Sequence, residues 1–283
     1  MDESEVSLEE HAARAAEGDS ASLEAVCRGV QDMVYRLALR FFSEPADAED
    51  ATQEILVKVV THIGQFDGRS KLTTWVYTIA SRHLLRARQG RVEGTVASPQ
   101  AFAEWLDTHL QPEPDVVDAV AYAQLCGDVR ISCTYGMLQC LSREQRITYL
   151  LGDLVGLSDT DGAMVLDISR AAYRKRLQRA RDTMREVIAN RCGLVSAANP
   201  CRCGAIIEAS IDHGLLDPDR PVWAAHPRAD PGPIPSGVLA EAAGQLDPVE
   251  QIAAIYRSDP DWLTPPRVLQ QLTATAPALF GAD

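Results

Sequence analysis

Between residues 23 and 38 the apolar side chains Leu23, Val26, Cys27, Val30, Val34, Leu37 and Ala38 recur at three- and four-residue spacings. That period marks one buried face of a long helix, and Asp19 or Ser20 ahead of it is suited to cap the helix N-terminus. Pro45 interrupts the chain. A second stripe follows in Ala48, Ala51, Ile55, Val59 and Ile63. Residues 67–70 read as a loop, and residues 71–91 as a third helix with Trp75, Ile79 and Leu84 facing inward. From residue 92 to 118 the pattern dissolves among Pro99, Pro112, Pro114 and six acidic residues. This reads as a linker with a short helix near residues 102–110. Periodicity returns at Val120 with Leu125, Val129, Cys133 and Met137. Cys126, Cys133 and Cys140 share that helix at seven-residue steps of ~10 Å, too long for a disulfide or one metal ion within the helix, and are read as core. Ser142 with Gln145 forms a capping box for the next helix, residues 141–156.

Residues 157–185 hold two short helical patterns with a break between them. Leu157, Ala163, Val165, Leu166 and Ile168 form the first apolar set, Asp167 sits at a turn position that tolerates left-handed backbone, and Ser169 is an N-cap. The second carries Arg170, Arg174, Lys175, Arg176, Arg179, Arg181 and Arg185, with Tyr173, Leu177, Ala180 and Met184 on another face. An apolar stripe on a densely cationic helix, entered through a tight turn, is the helix-turn-helix pattern, although a basic face can also be simply solvated. The remaining residues are acidic and proline-punctuated, with a helix expected over residues 238–256 and a short one after Pro265 and Pro266. The expected fold is all-α. An acidic N-terminal tail (residues 1–18) precedes a helical domain (19–92), an acidic linker (93–118), a helix-turn-helix domain (119–190) and a loosely structured C-terminal extension (191–283).

Composition narrows the function. The chain has 283 residues, 46% of them hydrophobic, and a formal net charge of −13. That charge disfavours nonspecific nucleic-acid binding by the whole surface and puts the weight on local basic faces. The first 19 residues are acidic and lack the apolar core of a signal peptide, and no apolar run approaches the ~20 residues of a membrane span. A cytoplasmic protein without a membrane partner is expected. Its seven cysteines are then reduced, metal-bound or redox-sensing rather than a disulfide framework. Lys71, Arg82, Arg86, Arg88 and Arg91 interleave with Trp75, Tyr77 and His83, a mixture suited to single-stranded nucleic acid. Asp47, Glu49, Asp50, Gln53 and Glu54 crowd the start of the second helix. They either complement its dipole or form a docking patch for a protein.

Four segments in this order resemble the bacterial RNA polymerase sigma factors of the extracytoplasmic-function group: DAEDATQEILVKV at 47–59, FDGRSKLTTWVYTIA at 66–80, LSREQR at 141–146 and KRLQRAR at 175–181. The resemblance covers residues 20–91 and 141–185 and implies region 2-like and region 4-like domains. It implies docking on core RNA polymerase through Asp47, Glu49, Asp50, Gln53 and Glu54. It implies promoter opening by the loop and helix carrying Arg69, Lys71, Thr74, Trp75, Tyr77, Arg82 and Arg86. Upstream promoter DNA would meet Arg170, Arg174, Lys175, Arg176 and Arg179. Among these, Arg174 and Lys175 suit base edges, and Arg176 and Arg179 suit phosphate or scaffold contacts. Core polymerase and promoter DNA are the implied partners, with an anti-sigma factor as a further candidate; no catalysis and no required cofactor are implied. The chain departs from the family pattern at Arg82 and Arg86, at Gly162 and Asp167, and at Ala171, Ala172 and Tyr173.

Beyond the second module, Cys192, Cys201 and Cys203 with His213 or His226 offer ligands for zinc. Reduced surface thiols, or a thiol switch pairing Cys192 with Cys201 or Cys203, are equally open readings, and a regulatory extension is expected. Two other classes compete: a free-standing helix-turn-helix regulator with a metal- or redox-sensing tail, and a thiol enzyme built on Cys201 and Cys203. The last lacks a convincing cysteine–histidine base pair.

Overall fold

The computed structural model describes residues 6–94, 98–113, 118–230, 234 and 247–275. Among these the regular structure is helical, with two isolated bridges, Cys192–Cys201 and Arg228–Trp262, in place of strands. The first module contains α1 (Leu8–Ala16), α2 (Ser20–Phe42), α3 (Pro45–His62) and α4 (Leu72–Arg86). Asp19 caps α2, Ser43 in left-handed conformation ends it, and Pro45 opens α3, where its missing N–H costs no helical bond. The α3 stripe is buried as its spacing predicts.

The stretch read as an acidic tail is instead a helix from residue 8. Ser7 and Glu10 form a capping box, and Ala12 and Ala15 are buried. Leu8 lies where a Cβ on Gly29 would sit 2.3 Å from Leu8 Cδ1, so glycine at position 29 lets α1 approach α2. Glu9 Oε1 also accepts the Leu72 N–H at 3.2 Å and so caps α4. The inward face of α4 differs from expectation as well. Leu72, Val76, Ala80 and Leu84 are buried, while Trp75 and Ile79 are only half-buried. Apolar residues occupy so many positions of this helix that two registers of the stripe compete.

The linker contributes α5 (Pro99–His109), and the second module α6 (Ala119–Leu138), α7 (Arg143–Tyr149, continued by a π turn over Leu150–Leu154), α8 (Asp159–Leu166) and α9 (Arg170–Ile188). The extension adds α10 (Ile207–Asp212), α11 (Pro248–Arg257) and α12 (Pro266–Thr275). The expected helix over 238–256 is described only from Pro248; residues 238–246 lie outside the described residues.

Little of the described extension before Pro248 is helical, as its prolines imply, yet it is closely packed. The apolar core runs from Ala12 through both modules to Trp223, Trp262 and Leu272. The centre of this packing is α6, covered on nearly all sides from Cys126 to Leu138, with Asp128 and Arg130 buried in its middle. Asp128 accepts the amides of Val222 (2.7 Å), Trp223 (3.2 Å) and Ala224 (2.7 Å). Arg130 donates to Ile255 O (2.8 Å), Ser258 Oγ (2.7 Å) and Asp259 Oδ1 (3.1 Å). Tyr256 Oη donates to Thr134 O at 2.7 Å, and Trp262 Nε1 to Tyr135 Oη at 2.9 Å. Each buried charge therefore has fixed partners, which burial demands.

His226 reports on this packing. Its Nε2 lies 2.7 Å from Tyr35 Oη, and the two rings stack. Burial lowers its pKa from 6.5 to about 4, so it is neutral in the folded chain. The unfolded chain then binds the extra proton between those values, and the contribution of His226 to stability is lost as pH falls from 6.5 toward 4. Denaturant midpoints measured across that window are expected to decline less for His226→Gln than for the parent. Identical slopes would show that His226 has no part in the acid sensitivity.

Candidate polymerase and nucleic-acid interfaces

The turn between α8 and α9 is built as the sequence implies. Asp167 takes left-handed φ of 54° and ends α8; Ser169 Oγ then accepts the Ala172 N–H at 3.1 Å and starts α9. Tyr173, Ala180 and Met184 are buried, which turns Arg170, Arg174, Lys175 and Arg179 to solvent and leaves Arg176 half-buried. Asp159 holds Arg170 at 3.1 Å and Arg174 at 3.6 Å. Arg181 is a scaffold residue, paired with Asp153 at 2.5 Å. Gly162 and Tyr173 explain each other here. A Cβ on Gly162 would stand 2.3–2.5 Å from the Tyr173 ring, so the glycine makes room for the large side chain that α9 inserts.

The first module places its candidates less uniformly. Arg69 is exposed and ion-paired with Asp67, and Lys71 and Arg86 are exposed. Thr74 is buried. Trp75 is half-buried against Phe66, with ring centroids 5.7 Å apart. Tyr77 does not stand out as a platform for a base: it lines a cleft with Arg36, Arg40, Leu150, Leu154 and Arg257. The two modules meet along α4 and α8, which brings Arg82 within 4.0 Å of Asp167 in the helix-turn-helix turn.

The acidic patch on α3 is divided. Asp50 and Glu54 are exposed and Gln53 is half-buried. Asp47 accepts the Arg91 amide at 2.7 Å. Glu49, expected to be open for docking, is buried, with only 8% of its surface exposed. Arg267 of α12 holds both its carboxylate oxygens through Nε and Nη2, and α12 packs along α3. Thr264, just before α12, donates its amide (2.8 Å) and its hydroxyl (2.7 Å) to Asp32 Oδ1. Arg267 was not legible as a site residue; the only hint was its place at the start of a helix opened by Pro265 and Pro266.

Residues 27–92, which contain most of α2 and all of α3 and α4, match the family model of sigma-70 region 2. The chain is 30% identical over 177 residues to the ECF RNA polymerase sigma factor SigC of Mycobacterium tuberculosis, a match covering 60% of this chain and 85% of that protein. The chain belongs to the ECF RNA polymerase sigma factor family. It is also 25% identical to the ECF sigma factor SigW of Bacillus subtilis, over 60% of this chain and 90% of that one. Among solved structures, CnrH in complex with the cytosolic domain of CnrY aligns with 62% of this chain and 94% of that chain, at 21% identity and a TM-score of 0.44. The region 2 match of this sigma factor takes in the α3 patch and the loop and helix from Arg69 to Arg86. No described helix is long and apolar enough to cross a membrane.

The ligand set expected in the extension of the sigma factor is not assembled as expected. The His213 ring packs against Trp105 (5.8 Å) and His109 (4.8 Å), and its Nδ1 bonds Ala209 O at 2.9 Å. Cys192, Cys201 and Cys203 instead line one cavity together with Cys133 of α6, a residue read from the sequence as core. All seven cysteines are free thiols, and burial pushes Cys201 up to about 12. The sequence carried no signal that Cys133 would join the others, because the contact depends on how α6 meets the loop after α9.

Proposed function

We propose that this sigma factor docks on core RNA polymerase through the α3 face around Asp47, Glu49, Asp50, Gln53 and Glu54, and that its own extension competes for that face. The supporting observation is the Arg267–Glu49 pair, which puts a helix of the extension on an acidic residue of the region 2 match. On this reading the chain is a transcription-initiation subunit without catalysis of its own, acting in the cytoplasm where polymerase and promoter meet. A free-standing regulator would have no need of a region 2 module.

Promoter DNA is read by α9 in the major groove and opened by the segment from Arg69 to Arg86. Arg174 must leave Asp159 to reach a base, so docking on DNA exchanges an internal ion pair for one with the duplex. The test is transcription in vitro with core polymerase and a promoter library, followed by binding of the selected promoter. Arg174→Ala and Lys175→Ala are each expected to cost about 1–3 kcal/mol of promoter affinity and to relax sequence preference at one position. Arg179→Ala is expected to weaken all sequences alike and to lower the salt slope by about 0.9. Unchanged promoter selection in the first two variants would overturn the assignment of α9. Failure to stimulate transcription from any template would overturn the docking reading.

A further inference from the structure

Away from the polymerase and DNA faces, a cavity of about 170 Å³ lies between α6 and the loop that follows α9. Four of its wall residues are cysteines: Cys133 from α6, and Cys192, Cys201 and Cys203 from the loop. Much of the remaining wall is apolar, contributed by Met137, Leu194 and Ile206 among others. Three separate turns of chain thus deliver thiols to one cavity.

The loop is fixed far more firmly than three surface thiols require. Cys192 and Cys201 lie side by side, with Gly193 N–H donating to Cys201 O at 2.9 Å and Cys201 N–H to Arg191 O at 3.0 Å. A Cβ at Gly193 would stand 2.5 Å from the Cys201 carbonyl oxygen, so only glycine permits this crossing. Asn199 Nδ2 gathers the carbonyls of Ala189 (2.8 Å) and Cys192 (2.9 Å). Arg202 gathers those of Ala197 (2.7 Å), Asn199 (2.5 Å) and Cys201 (3.1 Å). The Val195 N–H donates to Cys192 O at 3.1 Å and closes the turn on Cys192 itself.

We propose that Cys133, Cys192, Cys201 and Cys203 form a closed four-thiolate site for one Zn²⁺ ion. Binding releases the four thiol protons to solvent and forms four S–Zn bonds, with no change of oxidation state. Among the described residues no three such groups already stand at coordination spacing; the proposed site therefore requires the four side chains to turn toward a common point in the cavity they line. A bound ion ties the root of the extension to α6, the helix on which both modules and the extension pack. The proposal does not depend on how the α3 face is used.

The test is metal analysis of the full-length chain purified under reducing conditions. About one zinc per chain is expected, as for a structural four-cysteine site. Cys133→Ser and Cys203→Ser are each expected to lose it, whereas Cys27→Ala and His213→Ala keep it. Because Cys133 packs against the core, a test that leaves the fold intact is added: the parent chain is stripped with a chelator and refilled with Co²⁺. Sulfur-to-cobalt charge-transfer absorption at the strength of four thiolates supports the site. Absence of metal, zinc retained in Cys133→Ser, or a cobalt spectrum of two thiolates or fewer overturns it. Stoichiometric iron with acid-labile sulfide overturns the zinc assignment.

Discussion

A chain ending at Thr264 is expected to bind core RNA polymerase more tightly than the full chain. The helix removed, α12, buries Val268 and Leu272 and brings Arg267 onto Glu49. Burying two such apolar side chains stabilises the closed arrangement by roughly 1.5–3 kcal/mol each as an upper bound. The ion pair adds less. The Arg267 side chain is 65% exposed, and solvent screening holds an exposed pair to about 1 kcal/mol or below. Apparent affinity falls by the fraction of molecules whose docking face is open. Removing the whole helix is therefore expected to improve the dissociation constant by about tenfold, and Arg267→Ala by about two- to fivefold. Titration of labelled chain with core polymerase measures both. Equal or weaker binding by the shortened chain would show that α12 does not compete with polymerase. Glu49→Gln separates the roles of the two partners: if Glu49 itself contacts polymerase, this variant loses affinity even when α12 is absent.

The divided patch on α3 shows what was and was not legible in the sequence. Helices with a single dominant period, α2, α3 and α9, were readable because one face of each is buried and the opposite face is solvated. The caps Asp19, Ser142 and Ser169 were readable because each satisfies a local orphan amide. The burial of Glu49 was not legible because its environment is set by Arg267, a residue 218 positions away. The two central charges of α6 are the same kind of case. Asp128 and Arg130 look like solvent-facing residues until the extension supplies the Val222, Trp223 and Ala224 amides for one and Ile255, Ser258 and Asp259 for the other. Local patterns declare local structure. Where a proline-rich segment wraps a helix, the burial depends on long-range pairs that no window of residues contains.

Arg146 carries the largest stability effect expected of any single side chain joining the modules. It is 2% exposed and lies at the junction of α7, the end of α6 and the end of α2. Its guanidinium donates to Leu138 O (3.0 Å), Phe41 O (2.8 Å), Leu141 O (3.1 Å) and Glu93 Oε1 (3.1 Å), and it lies over the Phe41 ring at 5.1 Å. One planar fork thus satisfies three backbone carbonyls drawn from both modules, together with a carboxylate of the linker. Such a buried ion pair gives little net stability over an apolar pair of the same shape, but deleting one member leaves the other charge and the carbonyls without partners. Arg146→Ala is expected to cost about 3–5 kcal/mol, and Arg146→Lys nearly as much, because an ammonium cannot reach four acceptors in one plane. For a chain of this size that corresponds to a fall of roughly 6–20 °C in the melting midpoint. Thermal denaturation followed by circular dichroism checks the size of the effect, and a double-mutant cycle with Glu93→Gln separates the ion pair from the carbonyl bonds. A loss below about 1 kcal/mol in Arg146→Ala would mean that water enters the junction and replaces the guanidinium. The Phe41 and Leu138 carbonyls would then not be what fixes the two modules against each other.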